Sequence, residues 1–208
     1  MKLTHPSTML VSGPTGCGKT QFVVRLILEE MFYPKPQRII WFYSEWQPLY
    51  DQLQSIKSNI EFEKELTQTI YTSLDSKVRN LIILDDQMSK VGDNVLLSQL
   101  FTEGSHHRNL TVIYLVQNLF DKGKCQRTVN LNSNYKVLFK NPQDKSQIKI
   151  IADRAFPDQK EYFMKSFKDA TKESYGYLLL DMHPKTPEEY RVITNIFDPI
   201  SPDYYIAQ

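Results

Sequence analysis

The chain is 208 residues long, 41% hydrophobic and 24% charged, proportions of one globular domain with room for a substantial core. Its formal net charge of +1 excludes a uniformly basic or acidic chain. No apolar run approaches the roughly 20 residues that span a bilayer, and the first apolar run is too short for a secretion signal.

In chain order, Thr8–Val11 (TMLV) reads as a short strand that runs into GPTGCGKT, Gly13–Thr20. A helix is predicted over about Lys19–Phe32, halted by Pro34 and Pro36. Arg38–Ser44 (RIIWFYS) reads as a buried strand, Leu49–Ile56 as a short helix, and Ile60–Leu66 alternates weakly. Thr67–Val78 looks helical, with Ile70, Leu74 and Val78 at spacing four. Leu81–Leu84 (LIIL) is a strand ending in Asp85 and Asp86, and Asn94 can cap a helix that runs past Phe101 towards Gly104.

Leu110–Val116 (LTVIYLV) is a further buried strand, followed by Gln117 and Asn118. Asp121–Asn134 is polar, basic and partly helical, and Tyr135–Lys140 is a fifth strand. Two helices, near Lys145–Phe156 and Gln159–Thr171, precede a hairpin of Tyr177–Met182 and Tyr190–Phe197. Strands alternating with helices predict an α/β fold with a mostly parallel sheet, flanking helices and a C-terminal β-hairpin, in one domain whose core spans about residues 8–140.

Gly13–Thr20 fits G-x-x-x-x-G-K-[ST], the phosphate-loop (Walker A) spelling, in the strand–loop–helix setting that this chemistry needs. Gly13, Gly16 and Gly18 let backbone approach phosphate oxygens, and Pro14, Thr15, Cys17 and Gln21 complete the nucleotide-binding stretch. Loop amides and the new helix N-terminus present partial positive charge to an anion. Lys19 adds a full charge for the β- and γ-phosphates, and Thr20 offers a hydroxyl to Mg2+. A nucleoside triphosphate and Mg2+ are therefore the expected ligands.

Ligands of such sheets bind at strand carboxyl ends, where Asp85, Asp86 and Gln117 also fall. Asp85 is expected to face the Mg2+ shell opposite Thr20 (the Walker B position), and Asp86 to orient or deprotonate water. Gln117 is expected to reach the γ-phosphate or that water, with Asn118 the less favoured alternative. Arg108, in the loop SHHRN, is either a surface arginine or a donor to a neighbouring subunit's nucleotide, and Arg79, Arg127 and Arg154 compete for that role. Arg25 and Glu29, four apart, read as an exposed pair. Trp41, Phe42, Tyr43 and Trp46 read mostly as core, with stacking on nucleotide or DNA the less favoured alternative for Trp46, which lies beyond the strand. His106 and His107 lack a second ligand pair for zinc. Cys17 and Cys125 form neither a disulfide framework nor a zinc spacing, which points to a reducing compartment.

Charge is unevenly placed. Residues 122–172 hold 12 Lys/Arg against 5 Asp/Glu, a balance of +7, and the remainder holds 13 against 19, a balance of −6. Such a segment is either a set of solvated helix faces or a surface for a polyanion. Lys122, Lys124 and Arg127, with Gly123 between them, are the candidate DNA-gripping residues.

GPTGCGKT, LIILDD and HHRN leading into TVIYLVQN together resemble the FtsK–HerA group of P-loop ATPases, most closely the genome-packaging ATPases of double-stranded DNA viruses of the poxvirus and Polinton/adintovirus types. The resemblance covers about Thr8–Lys140. It implies a RecA-like core, a pentameric or hexameric ring, and ATP hydrolysis that drives double-stranded DNA into a capsid, with a capsid or portal vertex as partner and no membrane span. It places the protein in the cytoplasm or nucleus of an infected cell, transiently at the packaging vertex. It assigns Lys19 and Thr20 to nucleotide and Mg2+, Asp85 to the metal side, Asp86 to catalysis, Gln117 to sensing and Arg108 to action in trans. The wider family usually carries Glu where this chain has Asp86. A nucleotide or nucleoside kinase and a nucleotide-dependent assembly NTPase remain the alternatives; the first predicts an Arg-rich lid, whereas Asp121–Asn134 holds only Arg127.

Overall fold

A computed structural model describes residues 1–85, 95–104, 108–120 and 125–207. In chain order the elements are β1 (Leu3–Thr4), β2 (Thr8–Ser12), α1 (Lys19–Leu28), β3 (Phe32–Tyr33), β4 (Arg38–Phe42), α2 (Pro48–Ile56), β5 (Ile60–Glu63), α3 (Gln68–Thr72) and β6 (Asn80–Leu84). Then come α4 (Val95–Gln99), a π-helical turn (Leu100–Gly104), β7 (Leu110–Val116), α5 (Gln126–Leu131), β8 (Tyr135–Phe139), α6 (Ser146–Ala155), α7 (Lys160–Ala170), β9 (Tyr177–Asp181), β10 (Val192–Thr194) and β11 (Asp203–Tyr204).

Nine of these strands form one sheet in the order β11-β10-β9-β8-β2-β7-β6-β4-β5. From β8 to β5 every pairing is parallel, and β9, β10 and β11 are added antiparallel. The parallel strands are continuous apolar runs because both faces are covered. Leu10, Ile82, Leu84, Val112, Tyr114 and Val116 point into one core, with Leu97 of α4, Val129 of α5, Ile151 of α6 and Phe163 of α7. Met9, Val11, Leu81, Ile83, Ile113 and Leu115 point into the other, with Phe22, Val23 and Leu26 of α1 and Tyr50 and Leu53 of α2.

Three elements differ from the sequence reading. The first helix ends at Leu28, not near Phe32: Glu30 takes φ 52 and the Met31 N–H returns to Leu26 O, which frees Phe32–Tyr33 to pair with Leu3–Thr4. The helix expected over Thr67–Val78 is only Gln68–Thr72. Beyond it, Asp75 Oδ1 takes the Lys77 N–H, and the Tyr71 and Leu74 carbonyls accept from Arg108 Nη1. The second hairpin strand shrinks to Val192–Thr194, with Asn195 at φ 51, and pairs with β11, too short to leave a periodic signal. Asn94, as a helix cap, lies outside the described residues. No helix among the described residues is long and apolar enough to cross a membrane.

Candidate nucleotide site

β2 is the central strand, and Gly13–Gly18 leaves its carboxyl end. The Gly13 N–H donates to Val116 O at 3.2 Å, which ties the loop to the strand that carries Gln117. Gly16 and Gly18 sit at φ 77 and 101, where a Cβ is strained. α1 starts at Lys19, so its first free amides face the loop. The Lys19 ammonium donates to Gly13 O at 2.7 Å and Pro14 O at 3.0 Å, curling over the loop with one N–H left for an anion. The Cys17 side chain turns under the loop: a Cβ at Gly13 would lie 2.6 Å from its sulfur and 2.7 Å from Phe139 Cβ. Burial raises the thiol pKa, which Lys19 opposes.

Asp85 leaves the end of β6 and is buried. Its Oδ2 accepts from Thr20 Oγ1 at 3.1 Å and from the Tyr50 hydroxyl at 3.0 Å. A hydroxyl and a carboxylate meeting beside a phosphate loop are the hard oxygen donors that suit Mg2+. A cleft of about 360 Å3 opens over them, lined by Thr15, Gly16, Gly18, Lys19, Thr20, Gln21, Asp85 and Gln117, with Gln47 and Leu49 as its far wall. The structure therefore brings the phosphate loop, Asp85 and Gln117 together. Asn118 is committed elsewhere, since its Oδ1 accepts the Phe120 N–H at 2.9 Å. Tyr50, Gln47 and Leu49 were missed by sequence reasoning. The signal for Tyr50 was faint: one aromatic on the inner face of a helix that begins at the end of a core strand.

Arg108 is placed away from this cleft. It precedes β7 at the opposite end of the sheet, with its guanidinium 4.3 Å over the Tyr71 ring and Nη1 donating to Tyr71 O at 3.1 Å. Trp46 joins Tyr43, Tyr50 and Phe62 in an edge-packed aromatic cluster and donates from Nε1 to Asp51 Oδ1 at 3.1 Å. Arg25 and Glu29 form the surface pair expected of their spacing. Asp86, His106, His107, Lys122, Gly123 and Lys124 lie outside the described residues.

Part of the basic segment is neutralised on helix faces by the pairs Lys160–Asp153, Lys165–Glu161 and Lys172–Asp169. Arg127 is exposed on α5 and shares a separate cleft of about 1010 Å3 with Lys136 and Arg154, whose described lining contains no acidic residue. This larger cleft reaches Asn134 and Pro184, the end of the sheet away from the phosphate loop. Lys136 is buried there with Asn130 O as its acceptor at 2.7 Å, and burial lowers its pKa to about 8.

Neither protein-family models nor curated proteins give a match to the chain. Among solved structures it is similar to the genome packaging NTPase B204 from Sulfolobus turreted icosahedral virus 2 in complex with ATP-gammaS, at TM-score 0.57 and 14% identity, over 86% of this chain and 94% of that one. It is likewise similar to B204, the DNA-packaging ATPase from Sulfolobus turreted icosahedral virus, at TM-score 0.56, 14% identity and the same coverages. The cytoplasmic domain of EssC aligns over 96% of this chain but only 39% of its own length, at TM-score 0.55 and 14% identity. At these identities the likeness is one of architecture: the chain is an α/β protein with the mostly parallel, helix-flanked sheet of P-loop NTPases.

Proposed function

We propose that the chain is an ATP-hydrolysing motor that translocates double-stranded DNA, packaging viral DNA into a capsid as a pentameric or hexameric ring. The observation that carries the reading is the convergence of Lys19, Thr20, Asp85 and Gln117 on one cleft. The phosphate loop holds the triphosphate through its amides, and Lys19 draws charge from the β- and γ-phosphates. Thr20 and Asp85 would hold Mg2+, which supplies charge neutralisation at the phosphates when bound. Tyr50 fixes the Asp85 carboxylate. Gln117 orients the attacking water and Asp86 accepts its proton. A site built to position water favours hydrolysis over transfer to a small-molecule acceptor.

Arg108 would act on a neighbouring subunit's nucleotide, because it sits at the end of the sheet away from its own. Arg127 would contact DNA phosphates with Lys122 and Lys124, and the absence of a carboxylate among the described residues lining the cleft beside it supports a polyanion partner. The packaging role leans on the sequence motifs and on the architecture shared with B204. It carries the expected intracellular location with it, in an infected host cell and transiently at the packaging vertex of the virion. The deciding experiment is the ATPase rate per subunit against protein concentration, with and without duplex DNA. A rate that rises with both supports a ring motor whose sites are shared between subunits. A rate indifferent to both leaves a solitary NTPase.

A further inference from the structure

We propose that Tyr175 is the platform on which the nucleobase of the bound nucleotide stacks, an inference that rests on Gly13–Thr20 being a triphosphate cradle. The loop has two sides, because β2 lies between β7 and β8. Asp85 and Gln117 leave β6 and β7, so the γ-phosphate end belongs on that side. A triphosphate seated that way runs its α-phosphate and nucleoside across Gly18–Gln21 towards β8 and β9.

On that side the turn between α7 and β9 brings one aromatic ring to the loop. A Cβ built on Gly18 would lie 3.0 Å from Tyr175 Cδ1 and 3.6 Å from Tyr175 Cβ, so the ring lies against the loop backbone. Phe139, a buried core residue, forms the floor below, 3.7 Å from the same point. Tyr175 is nevertheless 71% exposed, so its ring face is open to a ligand.

The local backbone fixes the point from which the ring projects. Tyr175 has φ 64, a region that a bulky side chain rarely occupies. Gly176, beside it, has no room for a side chain, because a Cβ would lie 2.4 Å from Ala170 O. The Gly176 N–H closes the turn on Glu173 O, and buried Thr171 anchors its start through Oγ1 to Phe167 O at 2.7 Å. An exposed aromatic carried on strained backbone at the nucleoside end of a phosphate loop suits the π-face of a purine. Stacking reads the face of a base and not its edge, so ATP and GTP should bind comparably at this contact.

The test is titration calorimetry of MgATP and of magnesium tripolyphosphate, which has no base, with the full chain and with Tyr175→Ala and Tyr175→Phe. Tyr175→Ala should weaken ATP about tenfold and leave tripolyphosphate unchanged, and Tyr175→Phe should match the parent. Tripolyphosphate bound normally, with ATP affinity indifferent to Tyr175→Ala, overturns the platform and leaves the cradle standing. Equal weakening of both ligands overturns it too, making Tyr175 a prop for Gly18. A parent chain that binds neither ligand removes the cradle, and the platform with it.

Discussion

Thr20 Oγ1 and Asp85 Oδ2 stand 3.1 Å apart although 65 positions separate them in the chain, and the Tyr50 hydroxyl reaches the same carboxylate oxygen at 3.0 Å. The Asp85 carboxylate thus accepts from two hydroxyls on two helices. Removing a partner that orients a metal-side carboxylate costs about 10–100-fold in metal affinity or activity. Tyr50→Phe keeps the ring packing and loses only the donor. It should raise the Mg2+ concentration for half-maximal ATPase about tenfold and leave the rate at saturating Mg2+ close to the parent's. An unchanged Mg2+ requirement would separate Tyr50 from the metal.

Lys19 has two of its three N–H groups on loop carbonyls. Lys19→Ala removes the charge that would face the phosphates without emptying the core. ATPase should fall to about 1% of the parent or less, with the circular dichroism spectrum unchanged. Full turnover by this variant would refute the phosphate-loop assignment.

Arg108 rests on Tyr71 and on the Tyr71 carbonyl, at the sheet end remote from its own cleft. Arg108→Ala should keep ATP affinity and lose most hydrolysis. Its stability cost should be about 1–2 kcal/mol, since neither the ring nor the carbonyl keeps its cationic partner. Mixing it with Asp86→Asn subunits should restore some activity, because each variant would complete the other's site. No rescue at any ratio counts against a shared site.

Neutralising Lys122, Lys124 and Arg127 together should weaken duplex binding. It should also flatten the slope of log affinity against log salt by about 3, near 0.9 for each phosphate that is no longer neutralised. Adding Arg154→Gln should flatten it further if DNA follows the cleft that Arg127 shares with Arg154. A slope that stays put moves the DNA surface elsewhere.

Lys136 couples that cleft to stability. Its pKa falls from 10.5 to about 8 because burial disfavours the ammonium. In the unfolded chain the lysine holds its proton more tightly, so this group's destabilisation is full below pH 8 and is relieved as pH rises from about 8 to 10.5. Lys136→Met should therefore stabilise the protein at pH 7 by up to about 3 kcal/mol, following 1.36 kcal/mol per pKa unit. Its advantage over the parent should shrink towards pH 10.5. An advantage that does not change with pH, read by thermal melts of both proteins, would place the ammonium in water.

Most of the sheet was legible in the sequence because both of its faces are buried: Leu81–Leu84 and Leu110–Val116 leave no polar alternation to misread. The phosphate loop, Asp85 and Gln117 were legible because strand ends in such sheets meet at one edge. What escaped depends on interactions between distant segments. The early end of α3 reflects Arg108 beside the Tyr71 and Leu74 carbonyls, and no local pattern announces that. Tyr50 and Tyr175 look like ordinary aromatics until the fold sets one on Asp85 and the other on Gly18.

The sheet order also sets a timetable. β2 is made early, yet Thr8 pairs with Val112 and Met9 with Tyr135, partners translated more than a hundred positions later. Until then the strand that bears the phosphate loop has no neighbour in the sheet, and such long-range closure is the slow part of folding. The candidate nucleotide cleft, lined by residues from Thr15 to Gln117, thus waits for β7, so ATP would stabilise a sheet already closed on β2 and not the lone first strand.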